Sequence, residues 1–378
     1  MQSLESPAHK EFTFLKPLRF LLVSFIFTTF LGVSAFANHP ETTTEEHATE
    51  NHEAKKEKFK PGETILEHVK DAHDWHICDI NGHPVSISLP VILYSSEKGL
   101  ECFMSSKFEH GHASYNRYSL DKNNKVVAED GHSFYDISIT KNVAAMLIAV
   151  IILCLIALRI SKAYKRGQLV PKGIQSFMEP LIIFLRDEVA KPSIGDKKYM
   201  RYMPFLLTLF FFIFFNNLFG LIPWFPGGAN VTGNIAVTMV LALFVFFISS
   251  FSAKKAYWIH IINTPGVPWW LKFPVPLMPI VEIIGFFSKP LVLMIRLFAN
   301  IMAGHIIILG FFCLIFIFGE MSAAVGYGVS IFSVFMALFM GCLELLVAFL
   351  QAYVFTLLAA LYFGQAIEEH HHEEAAHH

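Results

Sequence analysis

Arg296 stands inside the run Leu291-Val292-Leu293-Met294-Ile295-Arg296-Leu297-Phe298, where every neighbour is apolar. A guanidinium stays protonated in proteins, and placing one in a bilayer costs from about 2.5 to above 10 kcal/mol, depending on snorkelling and local water. Such a charge either reaches the interface or a structural carboxylate, or it does work at membrane depth. Glu282, Lys289 and Arg296 are spaced by seven and so lie nearly on one helical face, with Asn300 one turn beyond Arg296. In the last apolar run Glu344 and Gln351 are again seven apart, and Tyr362, eleven further on, shares their stripe. Ala299, Ala303 and Gly304 lie among the first set, and Ala348, Ala352, Ala359 and Ala360 among the second. Residues this small let helices approach closely. A merely structural bundle has no need of both polar lines. His305 and Glu344 complete the set: an imidazole beside a carboxylate either relays protons near physiological pH or forms a hydrogen-bonded structural pair.

The elements that must position these groups are membrane helices. Only 16% of the 378 residues are charged, against about 25% in a soluble domain. From Met203 to Gly364 just eight charged residues occur: Lys254, Lys255, Lys272, Glu282, Lys289, Arg296, Glu320 and Glu344. No water-soluble fold can cover its outer faces with so few. A disordered scaffold and a secreted disulfide knot are excluded by the same composition, and a net charge of −2 leaves no footprint for a nucleic-acid partner.

Residues 1–37 read as a secretory signal. Lys10, Lys16 and Arg19 precede the apolar run Phe20–Val33, and Ala35-Phe36-Ala37 supplies a small-x-small cleavage pattern. Residues 38–60 are rich in Glu, Thr, Lys and His and read as a disordered polar linker. Residues 61–140 read as a small, mostly β, extracytoplasmic domain: Val85-Ser86-Ile87-Ser88-Leu89 alternates, Asn81-Gly82 is a hairpin signal, and Phe134 to Ile139 alternates again. Cys78 and Cys102 are either a disulfide, which an exported domain permits, or two free thiols. The histidine spacings here, such as His110-x-His112, match a metal site poorly, and no Cys-x-x-Cys accompanies them. The sequence calls for no metal and no cofactor.

A membrane domain over 141–367 follows. Its first span, Val143–Leu158, runs into Arg159, Lys162, Lys165 and Arg166, which puts that end in the cytoplasm. Gly173–Lys191 places Ile174, Phe177, Met178, Leu181, Phe184 and Leu185 on one face of an interfacial helix. A span from Met203 to about Ile222 goes out to the turn Pro223-Trp224-Phe225-Pro226-Gly227-Gly228, and Ile235–Phe251 returns to Lys254 and Lys255. Val275–Phe318 and Ala323–Tyr362 are about 40 residues each, where about 20 suffice to cross. Each either folds into two short spans or forms one long, steeply tilted helix, with Gly319 and Glu320 at the turn between them. The fold expected is an all-α polytopic membrane protein of about five or six membrane helices, the last two long, tilted and paired as a hairpin, preceded by the small β domain and followed by a solvated tail over 368–378.

The motif Ser288-Lys289-Pro290, followed by Arg296-Leu297-Phe298-Ala299-Asn300-Ile301-Met302-Ala303-Gly304-His305, resembles the signature of subunit a of the F-type ATP synthase. Asn217-Leu218-Phe219-Gly220-Leu221-Ile222-Pro223 on an earlier span, and Glu344, Gln351 and Tyr362 at the family spacing, extend the resemblance over about residues 140–370. It implies a bacterial inner-membrane stator subunit beside a ring of c subunits, with b-type peripheral stalk subunits and, indirectly, the F1 catalytic sector as partners. The family's essential arginine falls at Arg296, and its neighbouring polar positions at Glu282, Asn300, Gln351 and Tyr362. His305 and Glu344 follow the arrangement of mitochondrial relatives, in which the acidic and histidine positions have traded places. Two departures stand out: Ala299 replaces the usual Gly, and Gly220 or Thr232 occupies the place of an acidic residue common in some relatives, leaving Asn217 and Asn234 as polar groups there. The resemblance implies two aqueous half-channels separated by Arg296, with no chemistry of bond cleavage on this chain. The residues agree: no internal repeat suggests a secondary transporter, and no Ser/His or His-Glu-x-x-His set suggests an intramembrane enzyme.

Overall fold

The computed structural model describes residues 61–62, 65, 70–80, 83–96, 99–111, 113–121, 124–166, 171–222, 227–262 and 277–367. The signal expected over 1–37, the linker over 38–60 and the tail over 368–378 lie outside the described residues.

The N-terminal unit is built of short antiparallel strands. β1 (Asp74–Ile80) pairs with β2 (His83–Ser88), and Ile80 faces His83 across the two-residue Asn81-Gly82 link. A three-stranded sheet has the order β4 (Gly99–Met104), β3 (Pro90–Ser95), β7 (Tyr135–Asp136), and β5 (Tyr118–Leu120) pairs with β6 (Val126–Ala128). Val91 and Leu93 on the inner face of β3 close on Phe108, Tyr118, Val126 and Ala128 to form a small core. The expected alternation across Val85, Ile87 and Leu89 breaks at Leu89, which is buried between strands while Val85 and Ile87 stay exposed. Cys102 is an exposed free thiol, and the Cys78 side chain lies outside the described residues. Among the described residues no three His, Cys, Asp or Glu side chains gather as a metal site.

Beside that core runs a chain of polar contacts. The Tyr118 hydroxyl donates to Glu101 Oε2 at 2.9 Å and lies 3.0 Å from His132 Nε2, while His132 Nδ1 contacts Asp130 and Arg117 reaches Asp130 Oδ2 at 3.3 Å. Burial, then the hydrogen bond to Glu101, pushes the Tyr118 phenol up to about 12, and the His132 hydrogen bond, helped by Arg117, holds the Asp130 carboxyl down at about 2.

The unit is joined to the membrane domain without a spacer. α1 (Lys141–Lys165) begins at Thr140, whose Oγ1 accepts from Val143 N at 3.5 Å. Lys141 N donates to Ala72 O at 2.8 Å and Asn142 N to Asp71 Oδ1 at 3.0 Å, and burial raises the Asp71 carboxyl against the bond from Asn142. α1 outlasts the expected span: it continues through Arg159 to Lys165, so Lys162 and Lys165 sit in its last turn, where cations favour the helix dipole.

The segment expected at the interface is three pieces: α2 (Ile174–Phe184), a π-helical turn over Leu185–Ala190, and α3 (Lys191–Ile194). Its expected apolar face divides, because Met178 and Leu185 are buried against the bundle while Ile174 and Phe177 are exposed. In the widened turn, Asp187 accepts from Arg186 at 3.0 Å and from Lys191 at 2.6 Å, and these hydrogen bonds drive its carboxyl well below the usual range.

α4 (Tyr199–Leu221) is the hub of the bundle. Leu206, Leu209, Phe210, Phe212 and Ile213 are fully buried on it, among α1, the C-terminal helices and the α2–α3 segment. α5 (Ile235–Ser252) follows, and then a short α6 (Lys255–Ile262) that the sequence pattern does not announce. α7 (Leu277–Met321) and α8 (Ala323–Ile367) are single helices of 45 residues each, packed together as a hairpin. At 1.5 Å per residue each is ~68 Å long, more than twice a ~30 Å hydrocarbon core. The reversal falls at Ser322 rather than at Gly319-Glu320. It is tight because Gly326 backs directly onto Gly319, where a Cβ would come within 2.8 Å of the Gly319 Cα. Among the described residues five helices are long and apolar enough to cross a membrane, which makes the chain a polytopic membrane protein whose membrane part is all-α.

Candidate functional site

The two polar lines do not simply face each other. On α8 the line turns inward: Glu344 and Gln351 are buried, together with Ala348, Ala352, Ala359 and Ala360. On α7 the core face is Leu293, Leu297 and Ile301, at a four-residue repeat, and Arg296 and Asn300 lie off it on an exposed side. The small residues of α7 divide in the same way: Ala299 and Ala303 are exposed, and only Gly304 meets α8.

The lines touch at two places. At one, His305 Nδ1 stands 2.6 Å from Glu344 Oε1. The approach is out of line for a ring N–H, so it is a close electrostatic contact and not an aligned hydrogen bond. The carboxylate also lies against the bare backbone of Gly304, where a Cβ would be 2.9 Å from Oε1. One turn along α8, the Ala348 carbonyl accepts from Asn217 Nδ2 at 3.2 Å, and Asn217 Oδ1 accepts from the Thr232 hydroxyl at 2.6 Å. Asn217 and Thr232 are both buried. Gly220, one turn beyond Asn217 on α4, leaves the space beside the imidazole open: a Cβ there would come only within 3.8 Å of His305 Cε1. His305, Glu344, Asn217, Thr232 and Gly220 thus bring α4, α7, α8 and the segment before α5 to one polar cluster.

At the other place, Lys289 Nζ donates to Gln365 Oε1 at 3.0 Å and lies over two phenol rings, 5.3 Å from the Tyr362 centroid and 5.8 Å from that of Tyr257. Cation–π contact of this kind stabilises an ammonium that has lost part of its water. Lys289, Tyr257 and Tyr362 line a small cavity with Ser249 and Pro290, with room for about one water molecule. Arg296, two helical turns further along α7, is within electrostatic reach of Tyr362. It has no carboxylate at ion-pair distance among the described residues, and Val292, Ile295 and Ala299 share its open side.

Residues 143–364, well over half of the chain, match the family described as ATP synthase A chain. The chain belongs to that family. The chain is 45% identical over 251 residues to ATP synthase subunit a of Chloroherpeton thalassium, covering 64% of this chain and 71% of that protein. It is 46% identical over 239 residues to ATP synthase subunit a 2 of Chlorobaculum tepidum (61% and 64% of the two chains), and 42% identical over 249 residues to ATP synthase subunit a of Myxococcus xanthus (64% and 77%). Residues 64–145 match a second family, described as a domain of unknown function. A member of the ATP synthase A chain family is a membrane-sector subunit and not an enzyme by itself.

Within this A chain, the residues singled out from sequence fall into three groups and two single positions, Gln351, buried on α8, and Asn234. His305, Glu344 and Asn217 converge on the first cluster; Tyr362 joins Lys289 in the second, while Glu282 is half-buried two turns before Lys289. Arg296 and Asn300 share the open side of α7. Asn234 serves as the N-cap of α5, its Oδ1 accepting from Ala236 N at 2.9 Å. Three contributors were not predicted as site residues: Thr232, Gln365 and Tyr257. Thr232 lies in a Gly/Asn-rich stretch where a hydroxyl is unremarkable, and Tyr257 belongs to the short helix that has no clear pattern. Gln365 falls three residues after Tyr362, close enough in sequence for the helical stripe to have pointed to it.

Proposed function

We propose that this chain is the proton-translocating stator subunit of a rotary ATP synthase, in which Arg296 separates two aqueous half-channels. The single observation that carries the reading is the placement of Arg296: a permanent cation in the middle of an apolar helix, on a side that no described residue of its own chain covers with a carboxylate. A charge so exposed at membrane depth calls for an acidic partner from outside the chain. A ring of c subunits, each bearing one carboxylate, supplies it.

A ring carboxylate approaching Arg296 is favoured in its ionised form, because opposite charge stabilises it. It gives up its proton on the cytoplasmic side, where Glu282, Lys289, Tyr362 and Gln351 lie along the route. It then passes Arg296 and takes a proton from the outer side through the His305–Glu344–Asn217 cluster. Each proton crossing is worth about 2.3 kcal/mol per 100 mV of membrane potential, and a fixed cation between the half-channels prevents that energy from leaking away. Asn300 lies one turn from Arg296 on the same side and joins the ring-facing surface. b-type peripheral stalk subunits hold the chain against rotation, and the F1 sector receives the torque through the ring.

The positive-inside asymmetry of Lys162, Lys165 and Arg166 supports a cytoplasmic end for α1, an extracytoplasmic β domain over 61–140, and a membrane domain over 141–367 in a bacterial inner membrane. Residues 1–37 serve as an export signal in this arrangement.

The test is Arg296→Ala in the assembled complex, in membrane vesicles energised by a proton gradient. Proton-driven ATP synthesis is lost while the complex still assembles, and passive proton leak persists or rises. Retained coupled synthesis in that variant sinks the reading.

A further inference from the structure

The sheet β4-β3-β7 packs one face on the small core, and its other face is apolar and open. On the inner face Val91 and Leu93 meet the small core over Phe108 and Tyr118. The outer face is a grid of three rows. Leu100, Tyr94 and Tyr135 are cross-strand partners in the first row, exposed by 68%, 46% and 68%. Cys102 pairs with Ile92 in the second, and Ile137 extends it, because Ile137 N donates to Ile92 O at 2.9 Å. Met104 pairs with Pro90 in the third, extended by Ile139, whose N–H donates to Pro90 O at 3.1 Å. Side chains alternate along strands, so the burial of Ser138, which accepts from Ile92 N through its hydroxyl, leaves Ile137 and Ile139 on the outer face. No charged residue interrupts the grid.

A contiguous exposed apolar face marks an interaction surface, and its position says what it meets. Ile139 in the third row immediately precedes Thr140, the N-cap of α1, so the grid runs into the first turn of a membrane-spanning helix with no linker between. The bonds from Lys141 to Ala72 and from Asn142 to Asp71 fix that junction from the other side. Tyr135 is five residues from Thr140, at most ~17 Å away along an extended chain, and a strand that leans over stays within the headgroup region. Tyrosines are enriched at that depth, where an apolar ring meets wet headgroups.

We propose that this outer face is a lipid-docking surface, by which the β domain lies on the extracytoplasmic leaflet of the bilayer that α1 crosses. Leu100, Met104 and the Ile92–Ile137 row enter the acyl–headgroup boundary, and Tyr94 and Tyr135 sit at its polar edge. The domain is then anchored by a sheet face as well as by its helix, and its orientation over the membrane is set by both.

The native thiol of Cys102 lies in the middle row and reports directly on its surroundings. The assembled complex, with Cys78, Cys154, Cys313 and Cys342 replaced by Ser, is spin-labelled at Cys102 and reconstituted in phosphatidylethanolamine–phosphatidylglycerol vesicles. The proposal expects several-fold more collision with oxygen, relative to a water-soluble nickel chelate, than for a label on Val127→Cys, an exposed position of β6. An equal ratio at the two positions means a solvated face and overturns it. Exclusion of both reagents from Cys102 means that another subunit covers the face and overturns it equally. Should the cysteine-depleted complex fail to assemble, the unmodified complex is alkylated in the same vesicles and the Cys102 peptide read by mass spectrometry. A membrane-soluble maleimide then reacts several-fold faster than a charged one, and equal rates refute the proposal.

Discussion

Glu344 is held between an imidazole and a void: its Oε1 lies 2.6 Å from His305 Nδ1, and the same carboxylate rests on Gly304, which offers it no side chain. Both partners are on α7, one residue apart, so a single turn of one long helix supplies the attraction and the space for a carboxylate carried by the other. Gly304→Ala is therefore expected to push the Glu344 carboxylate off His305. If the contact serves proton uptake, its loss is expected to slow that step ~10-fold or more, each factor of ten being ~1.4 kcal/mol of barrier. Proton-driven ATP synthesis in vesicles measures it, with complex assembly as the control. Wild-type rates in Gly304→Ala would show that the contact has no part in transport.

Asn217 joins three elements through one amide: α4 carries it, α8 accepts from it at Ala348, and Thr232 before α5 donates to it. Asn217→Leu leaves the Thr232 hydroxyl and the Ala348 carbonyl to find other partners in a buried, apolar setting. The expected cost is ~1–3 kcal/mol for each group that fails, seen as a lower thermal unfolding midpoint of the detergent-solubilised complex. Asn217→Asp keeps the acceptor for Thr232 but loses the donor to Ala348, and should fall between the two.

The C-terminal end of α8 has no tolerance for bulk. Gly364 packs on the backbone carbonyl of Ser193 in α3 so closely that an added Cβ would overlap it. Its neighbour Phe363 stacks on Tyr202 at 5.1 Å, and Lys198 Nζ donates to the Ile367 carbonyl at 3.3 Å. A backbone carbonyl cannot swing aside as a side chain can, so Gly364→Ala is expected to destabilise by ~1–3 kcal/mol. Thermal unfolding again measures it. A variant as stable as the parent would mean that α3 is free to move away from α8.

The β domain carries its own pH dependence. The folded Asp130 carboxyl titrates at about 2, below its ordinary 3.8, chiefly because His132 and then Arg117 hydrogen-bond its charged form. A depressed folded value gives stability that is present above the unfolded value and lost as pH falls through the folded one. Local protection around Glu101–His132 should thus hold down to about pH 4 and decay towards pH 2. Asp130→Asn should remove that step while weakening the segment at neutral pH. Amide hydrogen exchange of the full chain across this range is the measurement, and identical profiles for parent and variant would contradict the assignment.

The membrane character of residues 141–367, the helical spans and the residues that meet on each polar line are all legible in sequence, because solvation leaves a direct composition signal and helical period leaves a spacing signal. The separation of Glu344 from Gln351 by seven residues already puts both on one face of α8, and the packing of the bundle then buries that face. Spacing within one helix says nothing of the angle at which its neighbour meets it. That is why the line from Glu282 to Arg296 could be read but not its outcome: Leu293, Leu297 and Ile301 take the core face, and Arg296 and Asn300 turn to the open side. The joining of Asn217 to Thr232 and Ala348, the clasp of Lys289 by Tyr257, Tyr362 and Gln365, and the meeting of Gly364 with Ser193 are contacts between elements distant in sequence. Only the packed chain decides these, since a side chain chooses its partner by distance and direction in three dimensions. The outer apolar grid of the β domain belongs to both levels: alternation marks its strands, but strand order alone brings Leu100, Tyr94 and Tyr135 into one row.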